Sequence, residues 1–257
     1  MHFLIQTIDG AVVHDFCFEI LLGRAYFQWA GERLETTLHE GLDFDGIEDS
    51  EALVPVGSVD FVSAFLRRFH PGATGALRPL NVPEALFPYA GRKIVNVFSP
   101  RDLQPAAQPL FHGGEQIYKK SLENIKDPRN GATAFGSTLF DCDGRPENLV
   151  GFQVSELIDI VSEWRAFVFQ GGIQYVANYS GNPLAFPSAS VIRNMVGSYT
   201  DAPVAYTLDV AVTKGGDTVV IECHRFFSCG LYGYNDHFRI PKMMSQAWFE
   251  ITHLKKY

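Results

Sequence analysis

Two stretches in the C-terminal half alternate apolar and polar residues with a period of two, and a pair of glycines interrupts each. In the later one, Val204, Tyr206, Leu208, Val210 and Val212 share one side, Gly215-Gly216 marks a turn, and TVVIECH returns. This predicts an antiparallel hairpin. With the two glycines as the whole turn, Lys214 faces Asp217. Counting back then sets Asp209 opposite Glu222 and Thr207 opposite His224, all on one surface. The earlier stretch, EWRAFVFQ-GG-IQYVANYS, predicts a second hairpin in which Glu163, Arg165, Phe167 and Phe169 share a face and Arg165 sits opposite Asn178.

Other segments carry different periods. Residues 3–6 and 52–56 read as strands, while 11–30 is apolar and aromatic with an ambiguous period. After Gly57, Ser58 is a good N-cap, and Val59, Val62, Phe65, Leu66 and Phe69 follow helical spacing until Pro71-Gly72. That helix start offers amides to an anion or is an ordinary capped helix. Residues 99–110 hold three prolines and read as a linker. Residues 148–167 run from an apolar strand through a carboxylate-bearing link into the first hairpin. Near the end, Met244, Ala247, Trp248, Ile251 and Leu254 form a helical stripe that should dock on a sheet.

Composition narrows the class. Of 257 residues, 46% are apolar and 19% charged, which places the chain among globular proteins with a substantial core. A net charge of −8 with scattered basic residues argues against nucleic-acid or anionic-membrane partners. No segment approaches membrane-spanning length and no signal peptide is evident, so a cytoplasmic location is expected. Cys17, Cys142, Cys223 and Cys229 lack CxxC spacing and read as ordinary reduced thiols. Cys223 should point away from His224, which disfavours a zinc site.

The hairpins also suggest chemistry. Like charges facing each other across a ladder repel, so Asp209 and Glu222 either hold a divalent cation or lie on a solvated surface. An arginine in an apolar strand needs an anionic partner; for Arg165 that is Glu163 or an anionic ligand. Lys119-Lys120 on a strand, then Lys126, Gly131 and Gly136, suit a phosphate-holding lysine and glycine loop, although GxxxxGK[ST] is absent.

Taken in order, the lysine strand, glycine loop, VSELIDI link, EWRAFV and LDVAV…VVIECHRFFSCGLYGY resemble the ATP-grasp fold. The likeness covers roughly residues 112–235 and is greatest to the compact clade, often phage- or bacteria-encoded, that is named for two arginines and one lysine. It implies an α+β fold in which two subdomains clamp ATP (residues 106–257), preceded by a small α/β pre-grasp domain (1–105). Lys120 and Lys126 would contact phosphates and the loop from Gly131 would cover them. Glu156 and Leu157 would border adenine and Glu163 the ribose. Arg165 and Arg193 would hold phosphate or a substrate carboxylate, and Asp209, Glu222 and His224 would hold magnesium.

His224 stands where such ligases usually carry asparagine, so a metal-side and a phosphate-side role both stay open for it, as does Lys119 against Lys120. The implied activity is an ATP- and Mg2+-dependent carboxylate–amine ligase acting on small-molecule or peptide substrates through an acylphosphate. The alternatives are an ATP-dependent phosphotransferase and a non-catalytic nucleotide-binding module.

Overall fold

The computed structural model describes residues 1–48, 50–77, 80–97, 116–121, 131–134, 152–156 and 158–254. The first unit is a parallel three-stranded sheet in the order β2–β1–β3 (β1 His2–Thr7, β2 Glu35–Glu40, β3 Leu53–Val56). The ambiguous stretch is helix α1, Asp15–Trp29. It buries Phe16, Cys17, Ile20 and Phe27 on one face yet exposes Phe18, Leu22, Tyr26 and Trp29 on the other. Apolar residues on both faces are what blurred its period. Ser58 caps α2 (Val59–Phe69) as expected, its side chain accepting from the Phe61 N–H at 3.1 Å. The amide of Ser58 itself donates to Gln6 Oε1 at 2.7 Å, so the Ser58 and Phe61 amides at this helix start are already engaged within the protein.

A second sheet, entirely antiparallel, runs β4–β7–β5–β6 (β4 Ile94–Val97, β5 Gln116–Ser121, β6 Gly131–Ala134, β7 Phe152–Glu156). Strand β4, which precedes the expected boundary at residue 105, pairs with β7 in this sheet. The third sheet, order β11–β10–β8–β9, contains both predicted hairpins (β8 Ile160–Phe169, β9 Gly172–Gly181, β10 Ala205–Thr213, β11 Thr218–Arg225).

Two cores flank this third sheet. On one face Ala166, Val168, Leu208 and Val210 join Ile192 and Met195 of α3 (Ala189–Ser198). Toward the first unit, Phe167 and Ala205 join Phe226 and the apolar stripe of α4 (Arg239–Phe249), with Met244, Ala247 and Trp248 buried as predicted. A π-helical turn, Glu250–Leu254, continues α4 and buries Ile251. Among the described residues, no helix is long and apolar enough to cross a membrane.

Candidate active site

Because strand side chains alternate, Glu163 and Arg165 of β8 emerge on the face opposite Ala166 and Val168. Strand β10 lies between β8 and β11, and Asp209 is paired with Arg165 on one side and Glu222 on the other. His224 follows two residues after Glu222. Glu163, Arg165, Asp209, Glu222 and His224 therefore meet on one surface through pairings from three strands.

The predicted register of the second hairpin holds at this point, by a different route. The turn is one residue longer than two glycines, since the Thr213 N–H donates to the Asp217 carbonyl at 2.9 Å and Val210 pairs with Val220. A bulge at Ile221 then restores one residue, so Asp209 faces Glu222 and Thr207 faces His224. In the first hairpin the turn is Gln170-Gly171, with φ of 51° and 72°, rather than Gly171-Gly172. That turn moves the register by two residues and the bulge at Gln174 restores one, which sets Arg165 opposite Ala177, not Asn178. Asn178 instead donates its side-chain amide to the Glu163 and Ser180 carbonyls.

Arg165 does not pair with Glu163. Its Nε and one terminal nitrogen donate to the two oxygens of Asp209, each at 2.7 Å, and its other terminal nitrogen donates to the Gly230 carbonyl at 3.1 Å. Both partners are buried, at 5% and 1% exposure. The guanidinium also lies 4.8 Å from the ring centre of Tyr232 and 5.6 Å from that of Tyr179. Burial by itself would raise the Asp209 pKa, but the hydrogen bonds and charges of Arg165 and His224 outweigh it and hold the carboxyl below its ordinary value. Glu163 accepts from the Tyr179 hydroxyl at 2.8 Å.

A divalent cation fits the donor atoms. His224 Nε2 lies 3.1 Å from Glu222 Oε1 and 3.5 Å from Asp209 Oδ2, and all three groups offer atoms within 4.8 Å of one another. Ligands at right angles on magnesium, each ~2.1 Å out, stand roughly 3 Å apart, close to this spacing. The charge is less favourable than two bare carboxylates, because Asp209 is already neutralised by Arg165.

Glu222 and Glu163 also line a cavity of about 260 Å³ between the second and third sheets. Ile158, Ile160 and Ile221 supply its apolar walls, and Glu156 sits on its rim. Glu156 accepts from the Lys93 N–H at 2.8 Å. Lys120 lies in β5 opposite Gln153, another residue of the cavity wall, and Gly131 opens β6 opposite Lys119. Lys126 and Leu157 fall outside the described residues. Arg193 is not brought to this surface. It is exposed on α3, beyond the opposite face of the third sheet, and lines a separate groove with Gly171, Ile173 and Val176. The family resemblance had implied that it holds phosphate or a substrate carboxylate, but the helix carrying it packs against the other face of the third sheet.

The model for the second family of the ATP-grasp clade named for two arginines and a lysine matches residues 89–238. This chain belongs to that family. Solved structures agree on the fold. D-cycloserine synthetase DcsG superposes with a TM-score of 0.60 at 11% identity, covering 96% of this chain and 100% of that one. N5-carboxyaminoimidazole synthetase from Staphylococcus aureus gives 0.58 at 10%, covering 95% and 77%. D-alanine–D-alanine ligase from Bacillus anthracis gives 0.56 at 11%, covering 98% of each chain. No curated protein sequence gives a significant match. The cavity with its acidic edge lies between the second and third sheets of this fold.

Three residues at this site were not singled out individually from the sequence. Tyr179 and Tyr232, the latter within the CGLYGY segment that carries part of the resemblance, stack on one another (centroids 5.1 Å apart) beside Arg165. Arg92 binds backbone carbonyls, which leave no side-chain signature.

Proposed function

We propose that this chain, an ATP-dependent ligase of carbon–nitrogen bonds, joins a carboxylate to an amine through an acylphosphate. The observation that carries the reading is the position of Glu222. It lines the cavity between the second and third sheets and, with Asp209 and His224, presents donor atoms that fit a cation at its edge. ATP is placed with adenine against Ile158, Ile160 and Ile221, bordered by Glu156 and the following residue, Leu157. Its ribose lies toward Glu163, and its phosphates run toward Glu222.

Lys120 and Lys126 meet the phosphates as point charges, and the segment from Gly131 covers them. Asp209, Glu222 and His224 would hold a magnesium ion, which would supply neutralisation of the triphosphate charge. Arg165 keeps Asp209 ionised and oriented. A substrate carboxylate oxygen attacks the γ-phosphorus and the bond to the β-phosphate oxygen breaks, giving ADP and an acylphosphate. The amine then adds at the acyl carbon and phosphate leaves with the C–O bond electrons. A proton released from the amine passes to solvent. Small molecules and peptide ends both suit the carboxylate and amine roles. Residues 1–105 are assigned to a pre-grasp domain apart from β4, which pairs in the second sheet, and a cytoplasmic setting with ATP and reduced thiols fits the whole.

Calorimetric titration of an ATP analogue with and without Mg2+ tests this reading in the parent and in Glu222→Gln. Tighter binding with Mg2+ in the parent, lost in the variant, is expected. Equal affinity with and without Mg2+ in the parent would sink it.

A further inference from the structure

Strand β11 is an edge strand, and residues 81–92 hold it on both sides of Glu222. On one side the Cys223 N–H donates to the Asn81 carbonyl at 2.6 Å. On the other, one terminal nitrogen of Arg92 donates to the Val220 carbonyl at 2.7 Å and to that of Ala90 at 3.0 Å. The second terminal nitrogen donates to the Ile221 carbonyl at 3.3 Å, and Nε to Ser155 Oγ at 3.3 Å. The two β11 carbonyls are those of the bulge. Bulges disrupt the ladder locally, and freed carbonyls need other donors.

The approach of this turn to β11 is close. Gly91 has φ +62°, and a Cβ there would come within 2.6 Å of Val219 Cγ1. Only a glycine brings the neighbouring arginine this near the strand without pushing Val219 aside.

The bulge decides which side chain reaches the site. Continued from the Val210–Val220 pair without it, the ladder would set Ile221 opposite Asp209 and turn Glu222 to the other face. We propose that Arg92 is the positioning residue for Glu222: its fork on Val220 and Ile221 holds the bulge that aims this carboxylate at the cation. The inference rests on the reading of Glu222 as a cation ligand. An ammonium at this position cannot bind two successive carbonyls and a hydroxyl in one plane, so lysine is not an equivalent.

The test is binding of Mn2+ alone, without nucleotide, followed by electron paramagnetic resonance. It compares the parent with Arg92→Lys, Gly91→Ala and Glu222→Gln, each checked for a cooperative melt. Partners that orient metal ligands typically cost roughly 10–100-fold in affinity when removed, and a loss in that range is expected for Arg92→Lys and Gly91→Ala. Gly91→Ala matters because it keeps the guanidinium and moves only the turn, and it carries the test if Arg92→Lys melts too low.

Unchanged Mn2+ affinity in Arg92→Lys and Gly91→Ala, with a loss in Glu222→Gln, overturns the proposal. So does an Arg92→Lys protein that binds ATP more weakly but keeps its nucleotide-free Mn2+ binding, which would make Arg92 a nucleotide contact. If Glu222→Gln binds Mn2+ as well as the parent, the cation reading itself fails, and the role of Arg92 fails with it.

Discussion

Arg165 grips both carboxylate oxygens of Asp209, at 2.7 Å each, inside the third sheet. The expected repulsion between Asp209 and Glu222 is thereby relieved by an internal cation before any metal arrives. A buried pair of this kind is costly to break from either end, because the surviving charge is left without its partner.

Asp209→Asn should therefore destabilise the fold by about 3–5 kcal/mol, the range for breaking a buried ion pair, rather than stabilise it by relieving repulsion. Arg165→Lys should fall in the same direction, since one ammonium cannot replace the two-pronged contact. Urea unfolding of both variants checks this. An Asp209→Asn protein as stable as the parent would show that the pair holds nothing together.

Acid should weaken the same contact. The folded-state pKa of Asp209 lies below its ordinary value of 3.8. Its contribution to stability is fully present above the unfolded-state pKa and is lost as pH falls through the lowered folded value. Urea midpoints measured from pH 5 downward should drop more steeply in the parent than in Asp209→Asn. Parallel curves would remove Asp209 from the acid response.

His224 would give the proposed cation site a nitrogen donor, and Arg165 already neutralises one of its two carboxylates. Imidazole favours transition metals over magnesium. His224→Asn should lower the affinity for Mn2+ more than that for Mg2+, as measured by calorimetry with each ion. An unchanged Mn2+ to Mg2+ ratio would place His224 on the phosphate or in the scaffold.

Lys120 occupies the register position opposite Gln153, whose side chain lines the cavity, whereas Lys119 is opposite Val154. Lys120→Ala should cost roughly 1.5–3 kcal/mol of ATP binding, the worth of a charge-assisted hydrogen bond, and Lys119→Ala less. Calorimetry on both variants checks the order, and a larger loss for Lys119 would reverse the facing.

What the sequence determined by itself was local. Alternation in β10 and β11 assigned Asp209, Glu222 and His224 to one surface and alternation in β8 put Glu163 and Arg165 on a face with Phe167, while the helical stripe from Met244 was legible because its apolar spacing is 3.6-like. Cross-strand pairing of Asp209 with Glu222 was read correctly although turn and bulge each differ by one residue, since the two shifts cancel. The polar edge strand β2, Glu35–Glu40, carried no apolar run and gave no strand signal. Tertiary structure alone decided that β8 lies beside β10, 44 positions from Arg165 to Asp209. Strand order is a long-range choice that local periodicity does not encode, so the arginine's partner could not be counted from its own hairpin. Strand order and helix packing likewise put Arg193 behind the sheet, and Arg92 reaches the bulge because Gly91 lies close against Val219.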